Sequence, residues 1–278
     1  MMSDMELGLN GRVCVVTGAS SGIGLAVACM LCKEGASVMM LARDPERLEQ
    51  AATRARRQGP GRVAVLALDV VASDATERLR TECGHVLGPV DVLVNNAGTS
   101  FSRPLLQLSD TDWQSQWELH VMAPMRFMRA LAPDMAERGW GRIVNVSSAS
   151  GKRPSLTNVA YSVTKAALLS LSRAFAETYA STGVLVNAVA PGIVDTELWL
   201  KDGGLADQRA VTEGLTREQP LSTQASRVPL GRFATPDEVA SVLYSSPTRV
   251  SPAHRPCPHQ PSHRHKTRRP CRRRPASA

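Results

Sequence analysis

Ser148, Tyr161 and Lys165 are the residues of this chain whose types and spacing can do chemistry together. Lysine follows tyrosine by four positions, so a helix through both puts them on one face, one turn apart. A phenol with a pKa of about 10 is a poor acid–base catalyst at neutral pH. A neighbouring ammonium favours phenolate and is expected to bring Tyr161 toward the working range. A serine hydroxyl beside them can hydrogen-bond a substrate oxygen and hold it against the phenol. The trio is suited to moving a proton to or from an oxygen.

Such a trio needs a strand, a helix and a loop to bring it together. Residues 142–146 form an apolar run that predicts a buried strand, leaving Ser148 at its C-terminal end, the edge where open α/β sheets form their ligand crevices. Residues 160–182 are the helix that carries Tyr161 and Lys165. Near the start of the chain, residues 12–16 predict another buried strand. It runs straight into Thr17, Gly18, Ala19, Ser20, Ser21, Gly22, Ile23 and Gly24, and a helix over 23–34 follows. In that turn Gly18 permits a tight exit, Gly22 lets backbone N–H groups approach a pyrophosphate, and Gly24 lets helix and strand pack closely. Ser20, Ser21 and Ile23 lie in the same turn and are expected to share in binding there. The second strand, 37–41, ends at Ala42, Arg43 and Asp44. A carboxylate here would bind the ribose 2′-hydroxyl of NAD, whereas a cation suits the 2′-phosphate of NADP, so Arg43 predicts NADP. Asp44 is expected to cap a helix opening at Pro45.

Composition bounds the rest. With 278 residues, 43% of them hydrophobic, the chain can bury one large α/β core. No apolar run reaches the ~18 residues of a membrane span, and residues 1–10 lack a signal-like pattern, which predicts a cytoplasmic protein without a membrane partner. The six cysteines match no disulfide framework, and the C-x-x-C at Cys29 and Cys32 falls in mid-helix, where core packing is the expectation. Nine basic residues and no acidic one follow Pro247, so the net charge of +8 leaves −1 for everything before it. The basic character belongs to a tail.

The G-x-x-x-G-x-G spacing, the Ser148, Tyr161 and Lys165 set, and the run Asn95, Asn96, Ala97, Gly98 after a fourth strand at 90–94 resemble the short-chain dehydrogenase/reductase family. The resemblance spans about residues 9–244 and is nearest to 3-oxoacyl-carrier-protein reductases. It implies an α/β fold with a Rossmann-type doubly wound parallel sheet. In such proteins Asp69 and Val70, closing a third strand at 63–68, line the adenine. Asn95 ties neighbouring strands and, with Ala97, lines the cofactor channel. After a sixth strand at 184–190, Pro191, Gly192, Val194 and Thr196 meet the nicotinamide carboxamide. Tyr161 and Lys165 also touch the cofactor, Lys165 holding the nicotinamide ribose. Residues 197–228 are the substrate lid, and Thr235 and Glu238 form a capping box for a last helix.

Two features depart from the family. Relatives carry an Asn seven residues after a tryptophan in the helical region 110–137, completing a proton relay to the lysine. Counting from Trp113 gives His120, an imidazole that can also donate and accept. That region is expected to be interrupted near Pro124, with Trp113, Trp117 and its methionines as core or subunit interface. Relatives also add a seventh strand. Here residues 245–278 are a Pro-, His- and Arg-rich segment without apolar periodicity, expected to be a disordered tail after a domain over 1–244. Rival readings of the tail are nucleic-acid binding and a metal site from Cys257, His259, His263, His265 and Cys271. Neither ligand spacing nor interleaved aromatics support them, so no metal is expected. With the seventh strand goes a subunit contact, so the family's usual homo-oligomer is in doubt.

The expected function is oxidoreduction between NADPH and a ketone or secondary alcohol. The alternatives are a secondary-alcohol, sugar or steroid dehydrogenase and, in another class, an inactive cofactor-binding protein.

Overall fold

Apolar runs rich in Val, Leu, Ile and Met become strands here because both faces of each are covered. Six strands form one parallel sheet: β1 Val13–Thr17, β2 Ser37–Ala42, β3 Val63–Ala67, β4 Val92–Asn95, β5 Gly141–Val146 and β6 Val184–Val189. Their order is β3-β2-β1-β4-β5-β6. The computed structural model describes residues 8–245.

Alternate side chains go to opposite layers. Cys14 and Val16 of β1, with Val38 and Met40 of β2, pack under α1 Gly22–Lys33, α2 Pro45–Arg56 and α10 Pro236–Ser245. Val15, Met39 and Leu41 face the other way, toward α3 Ala75–Val86, α5 Ala123–Glu137 and α6 Val159–Tyr179. The strand order reverses between β1 and β4, which opens a crevice at their carboxyl ends. The sheet is the doubly wound one that the family resemblance implied.

Local chemistry sets the helix starts. The Asp44 carboxylate accepts from the N–H groups of Glu46 and Arg47 at 3.1 Å each, capping α2. Thr235 and Glu238 cap α10 reciprocally, at 2.8 and 3.2 Å. The buried thiol of Cys32 donates to the Gly61 carbonyl at 3.2 Å, and the four cysteines among the described residues are all free.

The region 110–137 is α4 Asp110–Trp117, a π turn Glu118–Met122, and α5. The Ala123 N–H reaches back five residues to Glu118, and Pro124 has no N–H to offer His120. The extra residue in that turn rotates the helix face. Met128 and Met135 are fully buried in the core, whereas Trp117 stands 39% exposed. Helix α3 escaped the sequence reading because it buries only Ala75, Leu79 and Cys83 on a largely polar segment.

The 245–278 tail with its nucleic-acid and metal readings, and the replacement of a seventh strand, fall essentially outside the described residues. Among the described residues the sheet has six strands, and no helix is long and apolar enough to cross a membrane.

Candidate active site

The glycine turn leaves β1 with Gly18 at φ +65° and Gly22 at φ +53°, conformations that L side chains rarely adopt. A Cβ on Gly24 would lie 2.3 Å from the Gly18 carbonyl oxygen, so glycine is what lets α1 start against the turn. Ser21 is the N-cap of α1 but its side chain makes no capping bond, and Ser20 and Ile23 are half-buried beside it. The first N–H groups of α1 thus face the crevice without a side-chain cap, an arrangement that suits a phosphate. Above Gly22, a Cβ would meet only Thr196, its Cγ2 at 3.2 Å. The space is one that a side chain would fill, and bare backbone there is what close approach of a pyrophosphate requires.

Asn96, which the sequence reading passed over, holds this turn in place. Its Nδ2 donates to the carbonyls of Thr17 at 2.9 Å and Gly18 at 3.1 Å. The Thr17 hydroxyl accepts from the N–H groups of Asn96 and Ala97 at 2.9 and 3.0 Å and donates to Val94. Asn95 points the other way. It is 4% exposed, and its Nδ2 donates to Asn145 Oδ1 at 2.8 Å, tying β4 to β5. The strand tie expected of Asn95 is present, but alternation along the strand turns its side chain inward. A polar pair at a strand end is the signal that could have separated the two.

Arg43 follows β2, exposed and without a hydrogen-bond or ion-pair partner among the described residues. Asp69, also exposed, follows β3 and accepts from the Val71 N–H at 3.2 Å, while Val70 is buried. The Leu68 N–H bonds the Ala42 carbonyl at 2.8 Å, so these two strand ends are neighbours. After β6, the Pro191 carbonyl accepts from the Ala149 N–H at 2.7 Å, and Gly192 has open space where a Cβ would be. Val194 bridges to Ala234, and the Thr196 hydroxyl donates to the Val194 carbonyl at 3.4 Å.

Ser148 begins a 3-10 turn after β5, its Oγ accepting from the Ser150 N–H at 3.1 Å. Tyr161 and Lys165 lie one turn apart on α6, and the Ser148 hydroxyl is near enough to Tyr161 to bear on its ionisation. Two contacts fix α6 here. The Ser147 hydroxyl donates to the Lys165 carbonyl at 2.8 Å, and Gly151 lies so close to the Lys165 backbone that a Cβ would be 2.8 Å from it. Lys165 Nζ donates to the Val146 carbonyl at 2.8 Å and sits 5.5 Å from the centre of the Tyr161 ring.

The electrostatics differ from the sequence expectation. Burial pushes the Tyr161 phenol above its ordinary value, with the Ser148 hydroxyl opposing, and pulls Lys165 down to about 7. The expected phenolate-favouring ammonium is not what dominates in the free protein, because desolvation acts on both groups. Tyr161 is a neutral phenol, ready to donate.

His120 is fully buried on the π turn, its ring edge-on to Tyr161 at 5.2 Å. Its Nε2 accepts from the Thr99 N–H at 3.3 Å, which leaves the proton on Nδ1 to be donated to Thr164 Oγ1 at 3.0 Å. Thr164 in turn donates to the Tyr161 carbonyl at 2.9 Å. Burial first, then the Lys165 charge, hold the imidazole well below its usual pKa. Both nitrogens are engaged by threonines rather than by Lys165, so the ring as placed braces α6.

The short chain dehydrogenase family model matches residues 12–203. The 3-oxoacyl-acyl-carrier-protein reductase FabG of Thermotoga maritima is 34% identical over 237 residues, 84% of this chain and 89% of that protein. L-sorbose reductase from Gluconobacter frateurii, solved with NADPH and L-sorbose, superposes with a TM-score of 0.81 at 35% identity, covering 88% of this chain and 92% of that one. An NAD+-bound xylitol dehydrogenase superposes with a TM-score of 0.79 at 25% identity, covering 86% and 92%.

Proposed function

The chain belongs to the short-chain dehydrogenase family of NAD(P)-dependent oxidoreductases acting on secondary alcohols and ketones, and we propose that here the reaction is ketone reduction with NADPH. The observation that carries this reading is the convergence of Ser148, Tyr161 and Lys165 beside a glycine cradle. When bound, the nicotinamide supplies the hydride.

Ser148 donates a hydrogen bond to the carbonyl oxygen and orients it. Tyr161 gives that oxygen its proton as the alkoxide forms; the free protein holds it as the phenol, the form that reduction uses, and charge on Lys165 is what favours its ionisation. Lys165 holds the ribose hydroxyls and, when charged, stabilises the phenolate left behind. His120 keeps the Tyr161 turn of α6 in register through Thr164. The turn containing Gly18, Ser20, Ser21, Gly22, Ile23 and Gly24 takes the pyrophosphate, with Asn96 setting its shape. Arg43 meets the 2′-phosphate, Asp69 and Val70 the adenine, and the segment of Pro191, Gly192, Val194 and Thr196 the carboxamide. The unpartnered Arg43 and the lack of an acid at Ala42 favour NADPH over NADH.

The test is a panel of ketones, including a 3-oxoacyl thioester and a keto-sugar, after the substrates that the FabG and L-sorbose reductase names give, with NADPH oxidation as readout. Tyr161→Phe should abolish turnover while leaving the Kd for NADPH nearly unchanged, since only the proton donor is lost. Substantial kcat in that variant would refute the mechanism. Tighter binding of NADH would refute the cofactor choice.

A further inference from the structure

One bidentate ion pair beside the cradle is unused by the reading above. Arg47 Nη2 donates to both carboxylate oxygens of Glu197, at 2.7 and 2.6 Å, across 150 positions of sequence. Arg47 lies in the first turn of α2, directly after Arg43 and the Asp44 cap, and that cap fixes the Arg47 backbone by accepting from its N–H. Glu197 opens the short helix α7 Glu197–Leu200 and follows Thr196, the residue that overhangs Gly22. The pair therefore joins the adenosine side of the crevice to the base of the lid.

We infer that Arg47 is a second reader of the 2′-phosphate, and that Glu197 is its built-in competitor. This rests on the NADPH reading proposed above. Both side chains are 47% exposed, and ion pairs so exposed are weak and readily exchanged. A phosphate brings close to two negative charges and three acceptor oxygens, more than a carboxylate offers a guanidinium. It takes Arg47 from Glu197 and frees the first turn of the lid. The 2′-hydroxyl of NADH brings no charge, so the pair stays closed. Asp44 makes no hydrogen bond to the guanidinium, since its Oδ1 takes the two N–H groups of its own helix, and its charge acts on Arg47 less than that of Glu197 does. Discrimination between the cofactors would then be written partly on the lid.

Isothermal titration of the full chain with NADPH and NADH, without substrate, tests this on wild type, Arg47→Gln, Glu197→Gln and the double variant. Glu197→Gln should tighten NADPH by about threefold and leave NADH unchanged, since it removes only the competitor. Arg47→Gln should weaken NADPH by about tenfold and spare NADH, and the double variant should match Arg47→Gln. Weakening of both cofactors alike by Glu197→Gln would make the pair a simple clasp and overturn the inference. So would an NADPH preference that survives Arg47→Gln intact, which would leave Arg43 as sole reader. A wild type with no NADPH preference would overturn the cofactor reading and this inference together.

Discussion

Lys165 shows how far one residue's environment can set its chemistry. Its amine has one carbonyl partner, Val146, and is otherwise out of water, which draws its pKa from 10.5 to about 7. In the unfolded chain it recovers its ordinary value. Between the two values the unfolded state binds a proton that the folded state does not, so stability rises with pH across that window. The penalty is complete below about 7 and is relieved on the alkaline side. The cofactor-free protein should melt higher at about pH 8.5 than at about pH 7, and Lys165→Met should flatten that part of the profile in calorimetry. The window stops there because Cys14 and Cys83, whose thiols burial pushes up, act with the opposite sign once unfolded thiols ionise. An unchanged slope in Lys165→Met would mean the amine is better solvated than its placement implies.

At the scale of elements, the approach of α1 to β1 and the π turn between α4 and α5 decide where functional groups stand. Gly24 is the tightest point of the first. An added methyl would meet the Gly18 carbonyl at 2.3 Å and the Asn96 amide at 2.5 Å, two groups that shape the cradle. Gly24→Ala should therefore cost stability, by about 1–3 kcal/mol as overpacking does, and should also weaken NADPH binding. Gly192→Ala is the control, because nothing lies within 4 Å of its missing Cβ and its φ is ordinary. Urea denaturation of the two variants checks this, and equal midpoints would refute it. The π turn does the complementary job: it delivers His120 to Thr99 and Thr164, and through them braces the turn of α6 that bears Tyr161.

On the scale of the molecule, two apolar layers sandwich a sheet whose order reverses between β1 and β4, and the candidate site lies across that reversal. The cradle on β1, the Asn96 brace after β4, Ser148 after β5 and Thr196 after β6 all converge from different strands. A ligand that touches all of them links their fates, so cofactor binding should stabilise the fold as a whole. At NADPH a hundred times its Kd, linkage supplies about 2.7 kcal/mol. For a chain of this size that raises the melting midpoint by roughly 5–10 °C, and NADH at the same concentration should do less. Thermal scans with each cofactor measure it; a shift from neither would argue against the crevice as a dinucleotide site.

Much of this was legible in the sequence because it is written at short range. A four-residue step places Tyr161 and Lys165 on one helix face, glycines before a helix mark a cradle, and apolar runs mark strands that are covered on both faces. Caps at Asp44 and Thr235 are equally local. What the tertiary structure alone decided concerns partners far apart in the chain. Strand alternation, read against a neighbour 50 residues away, turns Asn95 inward to Asn145 and leaves Asn96 to hold the cradle. His120 meets Thr164 across 44 residues, and Arg47 meets Glu197 across 150. Above all, the protonation of Tyr161 and Lys165 depends on how much water the packed chain excludes, and desolvation is a property of the whole neighbourhood rather than of any spacing between residues.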